Sequence, residues 1–183
     1  SPLFDNIENL KPVIQQGASD SAALDNVFEL LNISGQPAPL AKLMLVPDAW
    51  SKKNKTLSKD HQQLFNFLNS TMEPWDGPAA IAGTDNEWAI VANDRNGLRP
   101  LRYTITSDKL LFARSETVMI ELNQKKIIKK DNYLVAGSET GMIKLNEKKI
   151  IAKGRLGPGE IIGVRIEKGK LFTNEKIKNY LAQ

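Results

Sequence analysis

Four short runs hold most of the side chains in this sequence that could do chemistry. They are Ser19-Asp20-Ser21-Ala22, Glu73-Pro74-Trp75-Asp76-Gly77-Pro78, Asp94-Arg95-Asn96-Gly97-Leu98-Arg99-Pro100 and Lys153-Gly154-Arg155-Leu156-Gly157-Pro158-Gly159-Glu160. Asp20 stands where apolar residues begin to recur at helical spacing. A carboxylate there can act as an N-cap, taking up orphan N–H groups and the positive end of the helix dipole. Aimed into a cleft, it can instead pair with an ammonium group. Asp76 and Asp94 sit in turn-rich runs, and Arg95 and Arg99 there could hold carboxylates or carbonyls that fix the turn. His61, the one histidine, tempts a general-base assignment. No partner acid or nucleophile accompanies it, and it lies on an apolar stripe, so it reads as a packed or capping residue. With no cysteine, disulfides, thiolate metal sites and a cysteine nucleophile are all excluded within this sequence. No metal site and no catalytic residue is expected.

The elements that must position these runs fall into two halves. Leu24, Val27, Phe28 and Leu31 recur at i, i+3, i+4 and i+7 behind the cap-type residues Ser19, Asp20 and Ser21, which predicts a helix ended by Gly35 and Pro37. A short helix is expected from Leu40 to Leu45, stopped by Pro47. The Lys-rich stretch 51–56 reads as a loop. A third helix is expected from about Ser58 to Met72, with Leu57, Leu64, Phe65, Leu68 and Met72 on its inner face. The remainder reads as strands. Ala79 to Gly83 and Trp88 to Ala92 flank a turn at Asp85-Asn86. Leu101 to Thr106 and Leu110 to Ala113 flank Ser107-Asp108-Lys109, and Ile161 to Ile166 and Lys170 to Phe172 flank a turn closed by Gly169. Asn174 reads as the cap of a last helix reaching Leu181. Pro78 and Pro100 set extended entries into strands, and Trp75 reads as core. Helices first and antiparallel strands after them make an α+β layered fold, expected as a single domain over residues 1–183.

Composition is that of an ordinary globular protein: 183 residues, 41% hydrophobic and 25% charged. No apolar run approaches bilayer-spanning length and no signal-peptide pattern opens the sequence, so neither a membrane span nor secretion is expected, and the reading is cytoplasmic. The net charge of +4 raises nucleic-acid binding. Its lysines are scattered among acidic residues, with no accompanying series of aromatics for base stacking, so a solvated surface is the better reading.

Residues 107–129 and 130–152 repeat one another. Identical residues fill 14 of 23 positions at one constant offset, for example 138 − 115 = 23. Two copies are too few for a solenoid, so the pattern reads as a tandem duplication inside one domain. Copy two carries Gly137 and Gly141 where copy one has Arg114 and Val118, which implies a different turn. Both copies cannot occupy one slot. One must add strands at an edge, loop out, or exchange between molecules.

The four runs, in this order, resemble the later part of the class II (N-terminal nucleophile) glutamine amidotransferase domain found in glutamate synthase large subunits. Ser1-Pro2-Leu3-Phe4 and Leu10-Lys11-Pro12-Val13 resemble the segment that leads into the Ser-Asp-Ser motif, and the resemblance spans the sequence apart from the duplication. It implies a partial αββα sandwich. It also implies a parent reaction in which an N-terminal Cys attacks the glutamine amide with its own α-amino group as base, and an Asn-Gly pair holds the oxyanion. An Arg binds the substrate carboxylate, and the Asp of Ser-Asp-Ser binds the ammonium. Of these groups only the last has a match here, Asp20. Asn96-Gly97 belongs to a different loop, and the match of Ser1 to an interior segment argues against a nucleophilic role.

Ser19, Ser21, Asp94, Arg95, Gly97 and Arg99 are implied scaffold residues near the site, with Asp76 and Glu116 or Glu139. The parent's flavin mononucleotide and iron–sulfur cluster have no binding pattern in this sequence. Its implied partners are glutamine or glutamate and the remainder of glutamate synthase. The sequence alone is expected to be inactive. A non-catalytic binding or assembly module is the alternative, with self-association through exposed sheet surface or strand exchange.

Overall fold

The computed structural model describes residues 10–48, 58–115, 134–137 and 147–183. Leu57, the 51–56 loop, Glu116 and Glu139 lie outside them, as does most of the repeat. The helices are α1 (Asp20–Ile33), α2 (Ala38–Leu45), α3 (Lys59–Thr71) and α4 (Asn174–Leu181). The strands are β1 (Ala80–Thr84), β2 (Trp88–Asn93), β3 (Leu101–Thr106), β4 (Leu111–Arg114), β5 (Leu134–Gly137), β6 (Ile150–Leu156), β7 (Ile161–Arg165) and β8 (Lys170–Phe172). They form two four-stranded sheets, ordered β1-β2-β7-β8 and β5-β4-β3-β6.

Alternation along β2 and β7 explains the layering. Trp88, Ile90, Ala92 and Ile161 face one way and pack with Ala38 of α2 and Ile177 of α4. Val91, Ile162 and Val164 face the other way and pack with Leu101, Leu111, Ala113 and Leu156 of the second sheet. Strands covered on both faces need apolar residues at successive positions, as Trp88-Ala89-Ile90-Val91-Ala92 has. The described layers are therefore helices, sheet, sheet: an α+β arrangement that fits a partial αββα sandwich.

Local signals account for the element ends. Ser19 caps α1, its Oγ accepting from the Ala22 N–H at 3.3 Å. Ser58 caps α3, its Oγ accepting from the His61 N–H at 3.2 Å. Helix α2 starts two residues earlier than the periodicity suggested, because Pro39 sits within its first turn, where a missing N–H costs nothing. The N-cap of α4 is Thr173, not Asn174. Asn174 Oδ1 instead accepts from the Ile161 N–H at 3.2 Å, tying the helix to β7. One strand pair departs from the antiparallel expectation: β4 and β5 run parallel.

Candidate functional site

The second, third and fourth runs converge on one set of turns, and Asp94 is their centre. It is buried at 1% exposure. Its carboxylate accepts four backbone N–H bonds: from Ala79 at 3.3 Å, Asn96 at 3.1 Å, Leu98 at 2.9 Å and Arg99 at 3.1 Å. Burial pushes its pKa up, but the bonds from Leu98, Arg99, Ala79 and Asn96 outweigh that and hold it below the usual carboxylate value. Its backbone carbonyl accepts from Gly97 at 3.2 Å and Gly159 at 2.7 Å. Asp76 Oδ1 accepts from the Asn96 side-chain amide at 3.1 Å, which joins the second run to the third. Glu160 closes the fourth run on itself, its Oε2 accepting from the Gly157 N–H at 2.7 Å.

The arginines do not have the expected role. Arg95 is half-buried and Arg99 exposed. Among the described residues neither side chain makes a hydrogen bond or ion pair. A carboxylate that accepts from several N–H groups of its own loop, as Asp94 does from Asn96, Leu98 and Arg99, needs no cation to fix the turn. Gly97 serves the same junction: with φ +66 it bends the loop, and a Cβ there would press on Pro158 at 3.0 Å.

Sequence reasoning missed the groups behind this cluster. Lys42, 1% exposed, reaches from α2 to donate to the Gly159 carbonyl at 2.6 Å. Burial lowers its pKa to about 8, with Asp48 opposing that shift, Lys178 adding to it and Asp94 opposing it again. Lys178, also buried, pairs with Asp48. A lysine inside the apolar run Ala41-Lys42-Leu43-Met44-Leu45-Val46 was the available signal.

The lowered Lys42 value has a consequence for stability. Between pH 8 and 10.5 the folded chain has lost a proton that the unfolded chain keeps. Stability therefore rises across that window. Urea unfolding should show the wild type gaining up to about 3 kcal/mol relative to Lys42→Met as pH rises through it.

Gly159 gives a second expectation. Its φ is +68, and a Cβ would lie 2.6 Å from the Asp48 Cα. Gly159→Ala should cost about 3 kcal/mol and lower the melting temperature by about 8 °C, through left-handed strain and displacement of backbone.

The first run stands apart. Ser19, Asp20 and Ser21 are exposed, and Ser19 and Ser21 share an Oγ–Oγ bond of 3.1 Å. Because Ser19 is the cap, the Asp20 carboxylate is not committed to that role. It makes no hydrogen bond or ion pair among the described residues. It lies in the first turn of α1, at the helix's positive end. One turn further on, Leu24, Asp25 and Phe28 of α1 face Lys42 and Leu45 of α2, Val46 just beyond its end, and Ile81 and Ala82 of β1 across a cleft of about 30 Å³. That is room enough for an ordered water. No group of three or more His, Cys, Asp or Glu residues among the described residues could hold a metal. No helix among them is long and apolar enough to cross a membrane. His61 is buried and bridges α3 to α4, its Nε2 lying 2.8 Å from Asn179 Oδ1, which supports the packing reading.

Comparison with known proteins bears on these runs. A family model described as glutamine amidotransferases class-II matches residues 1–132 and again 127–183. The two matches overlap at 127–132, across the junction of the two repeat copies. The chain is 45% identical over 177 residues to the glutamate synthase (NADPH) large chain of Azospirillum brasilense, covering 97% of this chain and 10% of that protein. It is 32% identical to the Bacillus subtilis glutamate synthase (NADPH) large chain, again over 97% of this chain and 10% of that protein. It is 35% identical to the glutamate synthase (NADH) of Saccharomyces cerevisiae, over 98% of this chain and 7% of that protein. The chain thus spans about a tenth of the length of these relatives.

Proposed function

The chain belongs to the class II glutamine amidotransferases, and from that membership we propose that these 183 residues supply the scaffold and the ammonium-binding carboxylate of a glutaminase domain. The larger enzyme would be a glutamate synthase. Its glutaminase step releases ammonia from glutamine, and the ammonia then serves glutamate synthesis elsewhere in the enzyme.

The observation that carries this reading is the state of Asp20. It heads a capped helix, yet Ser19 does the capping, leaving the carboxylate uncommitted and exposed at the positive helix end. An uncommitted carboxylate is suited to holding the α-ammonium of an amino acid, as the resemblance implies. The Asp94 cluster has the complementary property. Its polar groups are spent on one another, which suits a rigid platform better than a catalytic group.

Covalent chemistry would lie outside these residues. No cysteine is present. The iron–sulfur cluster of the proposed parent does not fit here either, since such clusters are held by thiolates. The remainder of a glutamate synthase is the partner that completes the site. The reading as an assembly module has weaker support: among the described residues the exposed large apolar side chains Ile14, Ile33, Phe67, Leu98, Ile151, Ile166 and Tyr180 are spread over separate elements and loops. Incubating the purified chain with glutamine should release ammonia no faster than buffer does. Sustained turnover would overturn the assignment of the chemistry to other residues.

A further inference from the structure

The sequence repeat and the sheet register coincide. Strands β4 and β5 pair Leu111 with Leu134, Phe112 with Val135, Ala113 with Ala136 and Arg114 with Gly137. Each pair is separated by the repeat offset, 134 − 111 = 23. The two copies of this strand therefore lie side by side, parallel, each residue against its own counterpart. We propose that the slot beside β3 is open to either copy: Leu134–Gly137 can replace Leu111–Arg114 as the antiparallel partner of β3, with residues 107–129 carried into the connection between them.

Three features make the substitution feasible. Leu111 and Ala113 are the β4 residues in the core between the sheets. Their counterparts are Leu134 and Ala136, the same residue types, so the core-facing pattern is kept. The turn that leads into β4 holds Lys109 in the left-handed region at φ 62. The counterpart of Lys109 is Asn132, a residue type that visits that region more readily. Asp108, which pairs with Lys149 at 3.1 Å, has Asp131 as its counterpart, so the turn keeps its carboxylate. Against these stands the exchange of buried Phe112 for the smaller Val135. Both strands move in the exchange: β4 leaves its antiparallel pairing with β3, and β5, which ends the sheet order and is held by a parallel pairing, is the cheaper of the two to release.

The exchange is confined to this slot. On the other side of β3, β6 places Gly154 under the Tyr103 ring, where a Cβ would collide with it. The position one repeat earlier is Asp131. Only the end of copy two together with the sequence that follows it can form β6, while either copy can form the strand on the opposite side.

Engineered cysteines test this in the full chain, which has no other thiol. Arg102 is in register with Arg114, so R102C/R114C should close a disulfide in the described arrangement. Positions 102 and 137 are two strand spacings apart, about 10 Å, beyond disulfide reach. After exchange, position 137 takes the place of 114. Under mild oxidation R102C/G137C should lose both thiols within one chain, as R102C/R114C does. A variant lacking residues 107–129 should still melt cooperatively, within a few degrees of the wild type. Retention of thiols by R102C/G137C, closure only between chains, or loss of cooperative melting in the deletion variant would each contradict the proposal.

Discussion

Replacing Asp94 with alanine should lower stability by about 4 kcal/mol and the melting temperature by about 10 °C. The size follows from what the carboxylate holds. It accepts four backbone N–H groups, from Ala79, Asn96, Leu98 and Arg99, at 2.9–3.3 Å. Alanine would orphan all four in a buried setting, and an unsatisfied buried donor costs more than its bond contributed. Asp94→Asn should recover part of the loss, because one amide oxygen still accepts. The pH dependence has a definite sign. The carboxyl is held below its usual 3.8 in the folded chain, so its stabilisation is present above that value and is lost as pH falls through the lower folded one. Acid unfolding should show the difference between wild type and Asp94→Ala shrinking below about pH 4. Circular dichroism melts at several pH values read both effects.

The damage would not stay local. The same loop receives the Gly159 N–H on the Asp94 carbonyl, and Gly159 in turn accepts from Lys42. The loop from 94 to 99, the turn at 157–160 and helix α2 are therefore linked in one chain of hydrogen bonds. Asp94→Ala and Gly159→Ala should couple, with a double variant less destabilised than the sum of the singles, as expected for residues in one network.

Much of this was legible along the sequence, where local physics decides. The stripe of Leu24, Val27, Phe28 and Leu31, with Ser19 before it and Gly35 after it, specified α1. The turn residues Asp85-Asn86 and Gly169 marked hairpins that formed where expected. What escaped depends on long-range pairing or on competition between equivalent local signals. Ser19, Asp20 and Ser21 were all eligible caps, and only the backbone path into α1 selects Ser19. Thr173 displaced Asn174 as a cap because the asparagine is drawn to β7. The start of α2 at Ala38 escaped because Pro39 sits in its first turn, where a proline is tolerated. β6 escaped because an apolar residue, Ile151, stands on its outward face and the small Ala152 and Gly154 on its inward one, which blurs the alternation of a half-buried strand. The parallel pairing of β4 with β5 could not be read locally at all, since its register is set by a repeat whose two copies compete for one neighbour.

In the candidate site, the motif order pointed to the right family, but the role of each charged residue needed geometry. Asp94 and the arginines near it look equivalent in sequence. Burial and four short N–H contacts separate the residue that builds the turn from those that do not. Lys42 was hidden for the opposite reason. It lies in an apolar run where periodicity treats it as an interruption, although its ammonium is satisfied by a carbonyl more than a hundred residues away.

The central claim is that Asp20 offers this domain's carboxylate to a substrate ammonium, while the bond-breaking groups lie outside these residues. Calorimetric titration of the folded chain with glutamine and with glutamate tests it most directly, run beside Asp20→Ala and beside Asp60→Ala, an exposed acidic residue in the first turn of another helix. The expected result is weak binding, with Kd in the millimolar range, that falls by at least about tenfold in Asp20→Ala, the loss typical of one charge-assisted hydrogen bond, and is unchanged in Asp60→Ala. No heat from the folded wild type, or equal affinity in wild type and Asp20→Ala, would contradict the claim and leave Asp20 as a solvated residue at a helix start.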